Sequence, residues 1–293
     1  MEKLTNINVI KNLLMAHSRT DSAKKEFGQN FLVSEHVLEQ IVEAAEISDQ
    51  DTIVEIGPGL GVLTRELCLR AKKVISIEKD RDMLKILDTT IMKDTPGAQA
   101  KITIINEDAL RWNPESNPLT AGKPYKLVAN LPYNVATAII HNFLVKTAYT
   151  KNPVALIVVL VQKEVADKAC ATWGDHNVLS LTLQPFATLK VISDVSPGSF
   201  YPSPKVTSSI LKITPRATPL LPQELFATYF KLIHSAFTQK RKTLPNGLQS
   251  IIPKKDIPAL LIEAGIDPMS RPQHLKLDQW ITLAGIVDKK EKM

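Results

Sequence analysis

The run Gly57-Pro58-Gly59-Leu60-Gly61 constrains this chain more than any other segment, because of what flanks it. Before it lies Thr52 to Ile56, a β-branched stretch with the texture of a strand; after it, Val62 to Arg70 reads as a helix. Glycines at a strand-to-helix junction let the backbone turn sharply, and they let a ligand lie against it where a side chain would collide. A tight turn with no ligand would use the same residues. The spacing is G-x-G-x-G, not the G-x-G-x-x-G that seats a pyrophosphate.

Strand-like and helix-like segments alternate around this turn. Ser34 caps a helix whose apolar stripe is Val37, Leu38, Ile41, Val42 and Ala45. Strands are expected at Lys73 to Ile77, Ile102 to Ile105 and Lys126 to Ala129, with helices from Arg81 and Ala136. The valine-rich run Pro153 to Val161 is short and continuous, as in a strand buried on both faces. Such alternation predicts an α/β fold: a Rossmann-like, mainly parallel sheet with helices on both faces. Val191 to Val195 and Val206 to Ile213 read as a late antiparallel pair around the turn Phe200-Tyr201-Pro202-Ser203-Pro204-Lys205. The linker Thr214 to Pro219 then leads to apolar residues at helical spacing, Leu225 to Phe237, and to Pro258 to Ala264, stopped by Gly265. The expected organisation is a mobile basic arm over residues 1–25, the sheet domain over 26–214 and a small α-helical domain over 220–293.

A chain of 293 residues is long enough for one large and one small domain. Its 44% hydrophobic and 23% charged residues are ordinary for a globular protein. The apolar run Val154 to Val161 falls far short of the roughly 20 residues that cross a bilayer. The N-terminus lacks the apolar core and cleavage pattern of a signal peptide. Cys68 and Cys170 have no partner at metal or redox spacing, so both are read as thiols in a reducing, cytoplasmic compartment, and no metal is expected. The net charge of +6 leans towards a polyanionic partner.

Two acidic residues end the strands that follow the glycine turn. Glu78 can hold both ribose hydroxyls of a nucleoside, and Asp108 can accept from an adenine amino group. Either could instead be a helix cap. Together, beside the glycine turn, they favour a nucleoside ligand without a pyrophosphate; S-adenosylmethionine fits, and a nicotinamide dinucleotide fits less well.

Asn130-Leu131-Pro132-Tyr133 follows the strand Lys126 to Ala129, at the sheet edge where such folds bind ligands. Adenine N6 is a poor nucleophile because its lone pair is delocalised into the ring. Acceptors that hold both N6 hydrogens force the nitrogen towards tetrahedral geometry and aim the lone pair. The Asn130 side-chain oxygen and the Leu131 carbonyl can do this, Pro132 stiffens the turn, and Tyr133 offers a ring face for a flipped base. A strand-ending turn with a core tyrosine is the plainer alternative. Phe200, by its residues alone, is a core residue beside a turn.

With these motifs in place the sequence resembles the ribosomal RNA adenine N6,N6-dimethyltransferases, class I S-adenosylmethionine-dependent enzymes, in their small-subunit (KsgA-type) branch. The resemblance runs in family order through Phe27-Gly28-Gln29-Asn30-Phe31-Leu32, Glu55 to Gly61, Asn130 to Tyr133, Val161 to Ala166, Phe200 to Val206, Arg241-Lys242-Thr243-Leu244 and Ala264 to Pro268. It implies that Asn30 and Leu32 close over the methionine end of the cofactor, with Gly57, Glu78, Asp108 and Asn130 completing the site. It also implies that Phe200 faces Tyr133 across the target adenine, and that two neighbouring adenines in the 3′-terminal stem-loop of small-subunit rRNA each receive two methyls. Two departures stand out: Glu107 where the family has Gly, and Pro245 where it commonly has Arg, expected to remove an RNA contact and alter the local helix.

Lys24, Lys25, Lys240, Arg241 and Lys242 are the candidate phosphate contacts, on a chain expected to act as a monomer on small-subunit rRNA or an immature small subunit. Lysine clusters are also ordinary solvated faces. Three other functions remain open: the antibiotic-resistance branch that modifies large-subunit rRNA, a DNA or protein-amide methyltransferase, and a ribosome-assembly factor acting without catalysis.

Overall fold

The computed structural model describes residues 3–16, 29–93, 95, 97–151, 153–238 and 242–292. In chain order, α1 (Ile7–Ala16), β1 (Phe31–Leu32) and α2 (Glu35–Ala44) precede β2 (Thr52–Ile56), α3 (Val62–Arg70), β3 (Lys73–Glu78) and α4 (Arg81–Leu87). Next come α5 (Ala98–Lys101), β4 (Ile102–Asn106), β5 (Lys126–Asn130), α6 (Ala136–Leu144), β6 (Leu156–Gln162) and α7 (Lys163–Cys170). The chain continues through α8 (Val178–Leu183), β7 (Ala187–Val195), β8 (Phe200–Tyr201) and β9 (Ser208–Pro215). It ends in α9 (Phe226–Phe237), α10 (Leu244–Leu248), α11 (Ile257–Glu263) and α12 (Leu277–Glu291).

Seven strands form one sheet in the order β4-β3-β2-β5-β6-β9-β7. Strands β2 to β6 pair in parallel, and β9 runs antiparallel to β6. From β2 the chain winds outward to β3 and β4, then returns to place β5 on the other flank of β2. The carboxyl ends of β2 and β5 therefore bound the crevice where strand order reverses, the place where open α/β sheets bind ligands. Their register, Ile53 opposite Lys126 and Val54 opposite Leu127, sets the turn after β2 level with the turn after β5.

Side-chain alternation accounts for both buried faces. Ile53, Val74, Val128 and Val158 join Val37, Ile41, Leu63 and Leu67 of α2 and α3 in the main core. Their neighbours Val54, Ile75, Leu127 and Val159 point the other way and are equally buried. Ser34 caps α2 by accepting from the Val37 N–H, as its position predicts.

Four elements differ from the sequence expectation. Residues 7–16, read as part of a mobile arm, form helix α1 with Ile10 and Leu14 fully buried; the contacts that hold it come from distant segments, which a local period does not reveal. Strand β7 begins at Ala187 rather than Val191, and β9 begins at Ser208 rather than Val206. Between them, the proline-rich turn carries β8, which pairs antiparallel with β1 through Leu32 opposite Phe200 and Phe31 opposite Tyr201.

The chain divides into two compact units: Met1–Ala166 with Leu189–Pro215, and Asp167–Thr188 with Arg216–Met293. In the second unit the Tyr229 hydroxyl donates to the Leu181 carbonyl at 2.8 Å, which ties the 167–188 excursion to the C-terminal helices. Helices α9 and α10 touch where Gly247 meets Ala236; a Cβ at 247 would stand 2.7 Å from the Ala236 Cα. Pro245 lies in the first turn of α10, where a backbone N–H would lack an intrahelical partner, so that helix accommodates it.

Gly61 sits at φ +88°, and a Cβ there would lie 2.6 Å from the Ile91 Cδ1. Gly61→Ala should therefore destabilise the fold by about 2–4 kcal/mol, left-handed strain plus overpacking. Urea unfolding measures this, and adding Ile91→Val, which removes Cδ1 but keeps the Cγ1 that would lie 2.8 Å away, should recover only a fraction of the loss.

Candidate active site

Because β2 and β5 are neighbours, the glycine turn and the Asn130-Leu131-Pro132-Tyr133 turn meet. The Gly57 N–H donates to the Ile77 carbonyl at 3.0 Å, and at φ +67° a side chain on Gly57 would point at the Pro132 ring, 3.8 Å away. A cavity of about 270 Å³ opens here. Its lining gathers every expected cofactor residue, Asn30, Leu32, Gly57, Glu78, Asp108 and Asn130, together with Leu131, Pro132 and Tyr133.

Glu78 ends β3 with 7% of its surface exposed. Burial pushes its carboxyl up to about 7, against the N–H bond it accepts from Asp80 at 2.7 Å. Asp108 behaves oppositely: the Lys79 ammonium at 2.8 Å holds it below the usual carboxylate range, and it also accepts from the Leu110 N–H. A carboxylate has about four acceptor sites, so Asp108 keeps capacity for a ligand N–H. The cavity wall carries four carboxyl side chains, Glu55, Glu78, Glu107 and Asp108, against one ammonium, Lys79. A wall with one ammonium among its carboxyl groups offers a pyrophosphate little attraction and suits a ligand that carries positive charge.

Asn130 donates its Nδ2 to the Asn30 carbonyl at 3.1 Å, which turns its Oδ1 the other way. The Leu131 N–H donates to the Leu160 carbonyl, continuing the β5–β6 pairing and fixing that peptide. Among the described residues no donor occupies the Asn130 Oδ1 or the Leu131 carbonyl. Tyr133 is held by a 2.6 Å hydrogen bond between its hydroxyl and the Ser208 hydroxyl, and burial raises its pKa.

Phe200, which the resemblance sets across the target base from Tyr133, lies on β8 with Leu32 as its strand partner. It packs into the main core beside Leu32 and Leu38 with 3% exposure, is absent from the cavity wall, and makes no ring contact with Tyr133. This is the core placement its residues alone suggest. Lys24, Lys25, Lys240 and Arg241 lie outside the described residues; Lys242 is exposed. Among the described residues no three His, Cys, Asp or Glu side chains form a metal cluster, and no helix is long and apolar enough to cross a membrane.

Residue types alone left two participants without a role. Glu55 is fully enclosed beneath the glycine turn, where its Oε2 accepts from Thr64 Oγ1 at 2.8 Å and Ser76 Oγ at 2.7 Å. Burial pushes its carboxyl up to about 7. Ser208, the anchor of the Tyr133 ring, belongs to β9, 75 residues further along the chain. The Glu55 carboxyl ahead of the glycines was the available signal; for Ser208 there was none.

The profile of the ribosomal RNA adenine dimethylases matches residues 20–289, nearly the whole chain. This chain belongs to that family. It is 39% identical over 277 residues to the ribosomal RNA small subunit methyltransferase A of Lachnoclostridium phytofermentans, covering 92% of this chain and 93% of the relative. The enzyme of the same name from Pediococcus pentosaceus is 38% identical over 272 residues, 89% of each chain. Among solved structures, the 23S rRNA methyltransferase ErmE is 27% identical with a TM-score of 0.67, spanning 88% of this chain and all of that one. A dimethyladenosine transferase from Plasmodium falciparum, at 24% identity, shares the fold with a TM-score of 0.72, over 89% of this chain and 98% of its own. The family member described here is thus a methyltransferase of the Rossmann-like class, with the mainly parallel sheet its sequence predicts.

The buried carboxyl of Glu55 has a consequence for stability. Its folded value of about 7 exceeds the ordinary 4.5, so the native state holds a proton that the unfolded state releases between those values. Stability should therefore fall as pH rises from 4.5 to 7 and level off above. Glu55→Gln should remove on the order of 2–3 kcal/mol of that decline in urea titrations across pH. An unchanged slope would show that Glu55 ionises normally.

Proposed function

We propose that this chain transfers methyl groups from S-adenosylmethionine to N6 of two adjacent adenosines in the 3′-terminal stem-loop of small-subunit rRNA, two to each. One observation carries the chemistry: two acceptors that no described residue occupies, the Asn130 Oδ1 and the Leu131 carbonyl, stand on consecutive residues at the cavity wall. Those residues are held by the bonds from Asn130 Nδ2 to the Asn30 carbonyl and from the Leu131 N–H to the Leu160 carbonyl.

The cavity suits the cofactor. Its acidic wall matches a sulfonium and an ammonium, Glu78 ends β3 where the ribose hydroxyls of a nucleoside would lie, and Gly57 leaves room against Pro132. Glu78 takes the ribose, Asp108 the adenine amino group, and Asn30 and Leu32 close on the methionine end. When bound, the cofactor supplies a methyl on a positively charged sulfur, an electrophile strong enough for a weak amine.

The protein's part is alignment. Asn130 and Leu131 accept the two N6 hydrogens of the flipped adenine and draw the nitrogen out of conjugation, so that its lone pair faces the methyl. Tyr133, pinned through Ser208, presents a ring for the base to stack on. Pro132 keeps the turn stiff and in contact with Gly57. After the first transfer one N6 hydrogen remains, and either acceptor can hold it for the second round. Preorganised acceptors that need no movement during reaction supply most of the acceleration. No side-chain base is required, because an N-methylated aromatic ammonium is itself strongly acidic. Phe200 supports the turn from the core, through the β1–β8 pairing. The substrate is the immature small subunit, met by one copy of the chain in the cytoplasm; the basic segments at 24–25 and 240–242 contact phosphates, and the C-terminal helical domain helps read RNA shape.

Labelled cofactor offered to unmethylated small subunits, large subunits and free rRNA tests the assignment. Label is expected as N6,N6-dimethyladenosine in small subunits. Methylated large subunits would favour the function named for the 23S relative instead. Asn130→Ala should lower single-turnover methylation about 10²-fold with little change in RNA binding.

Glu78 makes the cofactor site pH-sensitive. Its carboxyl titrates near 7, and only the ionised form accepts both ribose hydroxyls with full strength. Affinity for S-adenosylhomocysteine should rise roughly tenfold from about pH 6 to pH 8. Glu78→Gln should flatten that rise, and Glu78→Ala should cost about 2–3 kcal/mol at pH 8. Calorimetry across pH measures all three.

A further inference from the structure

Helix α1 has no part in the site as described, yet its buried face rests on the site's outer wall. Ile10 and Leu14 are completely buried, whereas Ile7 and Met15 on the same helix are 42% and 50% exposed. The two buried residues enter a small cluster, separate from the main core, with Phe31, Leu60, Met83 and Ile86. Phe31 belongs to β1, Leu60 to the glycine turn, and Met83 and Ile86 to α4, which follows Glu78. The first two of these segments enclose the cavity, and Phe31 and Leu60 line it directly. The Phe31 ring lies against the glycine turn so closely that a Cβ on Gly59 would stand 3.4 Å from it. Glu78, at the end of β3, lines the same cavity. Two further ties hold the helix and the residues before it: the Lys11 ammonium lies 5.6 Å from the Tyr201 ring centre, and Lys3 pairs with Glu35 at 2.8 Å.

We infer that α1 is a brace for the cofactor cavity: Ile10 and Leu14 are positioning residues that press Phe31 and Leu60 onto the glycine turn, so that docking of α1 and cofactor binding reinforce one another. The wall they press on is thin. Among the described residues, Phe31 and Leu60 belong both to the cluster around the α1 side chains and to the cavity wall. Undocking α1 removes the apolar backing of both side chains and frees the glycine turn that Leu60 belongs to. A ligand that packs against the inner side of Phe31 and Leu60 restores what undocking loosens, and thermodynamic linkage makes the effect reciprocal.

The brace rests on the cofactor assignment proposed for the cavity, and the experiment separates the two. S-adenosylhomocysteine should bind the wild-type chain; absence of binding would overturn both. Given binding, Ile10→Ala with Leu14→Ala, and separately deletion of residues 3–16, should weaken it about tenfold or more, while Ile7→Ala leaves it unchanged. Affinity within twofold of wild type in both perturbed proteins would overturn the brace and leave the cofactor site standing. A readout in the unaltered protein guards against variants that fail to fold. Hydrogen exchange of the α1 amides should slow at least tenfold on adding S-adenosylhomocysteine, with α11 amides in the other unit unchanged. Exchange in α1 that ignores the ligand would overturn the brace.

Discussion

The parallel pairing of β2 with β5 is the constraint on which the rest depends. Neither strand is close to the other in sequence, and the chain lays down β3 and β4 before returning. Once they pair, two turns with different chemistry are brought together: one without side chains that could obstruct a ligand, the other carrying an amide and a free carbonyl. The sheet register sets their level. The continuously apolar strands β5 and β6, buried on both faces, resist sliding of that register, because displacement would expose or misplace an entire row of side chains.

Electrostatics adds a second layer. Glu55 and Glu78 are both buried carboxyls pushed up to about 7, but they are held differently. Glu55 is sealed by two hydroxyl donors from α3 and β3 and serves the turn from beneath; Glu78 takes a backbone N–H and faces the cavity. Asp108 is kept ionised by Lys79, so one wall of the cavity is permanently charged and another is tunable. The main acceptors of the proposed reaction, by contrast, are neutral. An amide and a peptide carbonyl can hold an amine without capturing its proton, which keeps the nitrogen lone pair available to the electrophile.

Much of this was legible in the residues. The strand-to-helix glycine turn, the acidic strand ends and the Asn-Leu-Pro-Tyr turn are local signals whose spacing survives without knowledge of the fold, and the structure brings them to one cavity. Helix α1 was not legible, because its stripe is short and its partners, Phe31, Leu60 and Met83, lie far along the chain. The β1–β8 ribbon escaped notice for the same reason: two-residue strands carry no period. Phe200 shows the opposite case, since its residue pattern pointed to the core and only resemblance pointed to the target base. Residues 167–188 grouped with the C-terminal helices through contacts such as Tyr229 to Leu181, which no linker composition announces.

The central claim is that one nitrogen is held by two preset acceptors. A crystal structure of the chain with S-adenosylhomocysteine and an adenosine-containing RNA fragment tests it directly. The account predicts N6 within about 3.2 Å of both the Asn130 Oδ1 and the Leu131 carbonyl, with the base stacked on Tyr133 and the sulfur in line behind the nitrogen. An adenine N6 bonded to a carboxylate of the cavity wall, with Asn130 turned wholly to the cofactor, would contradict it.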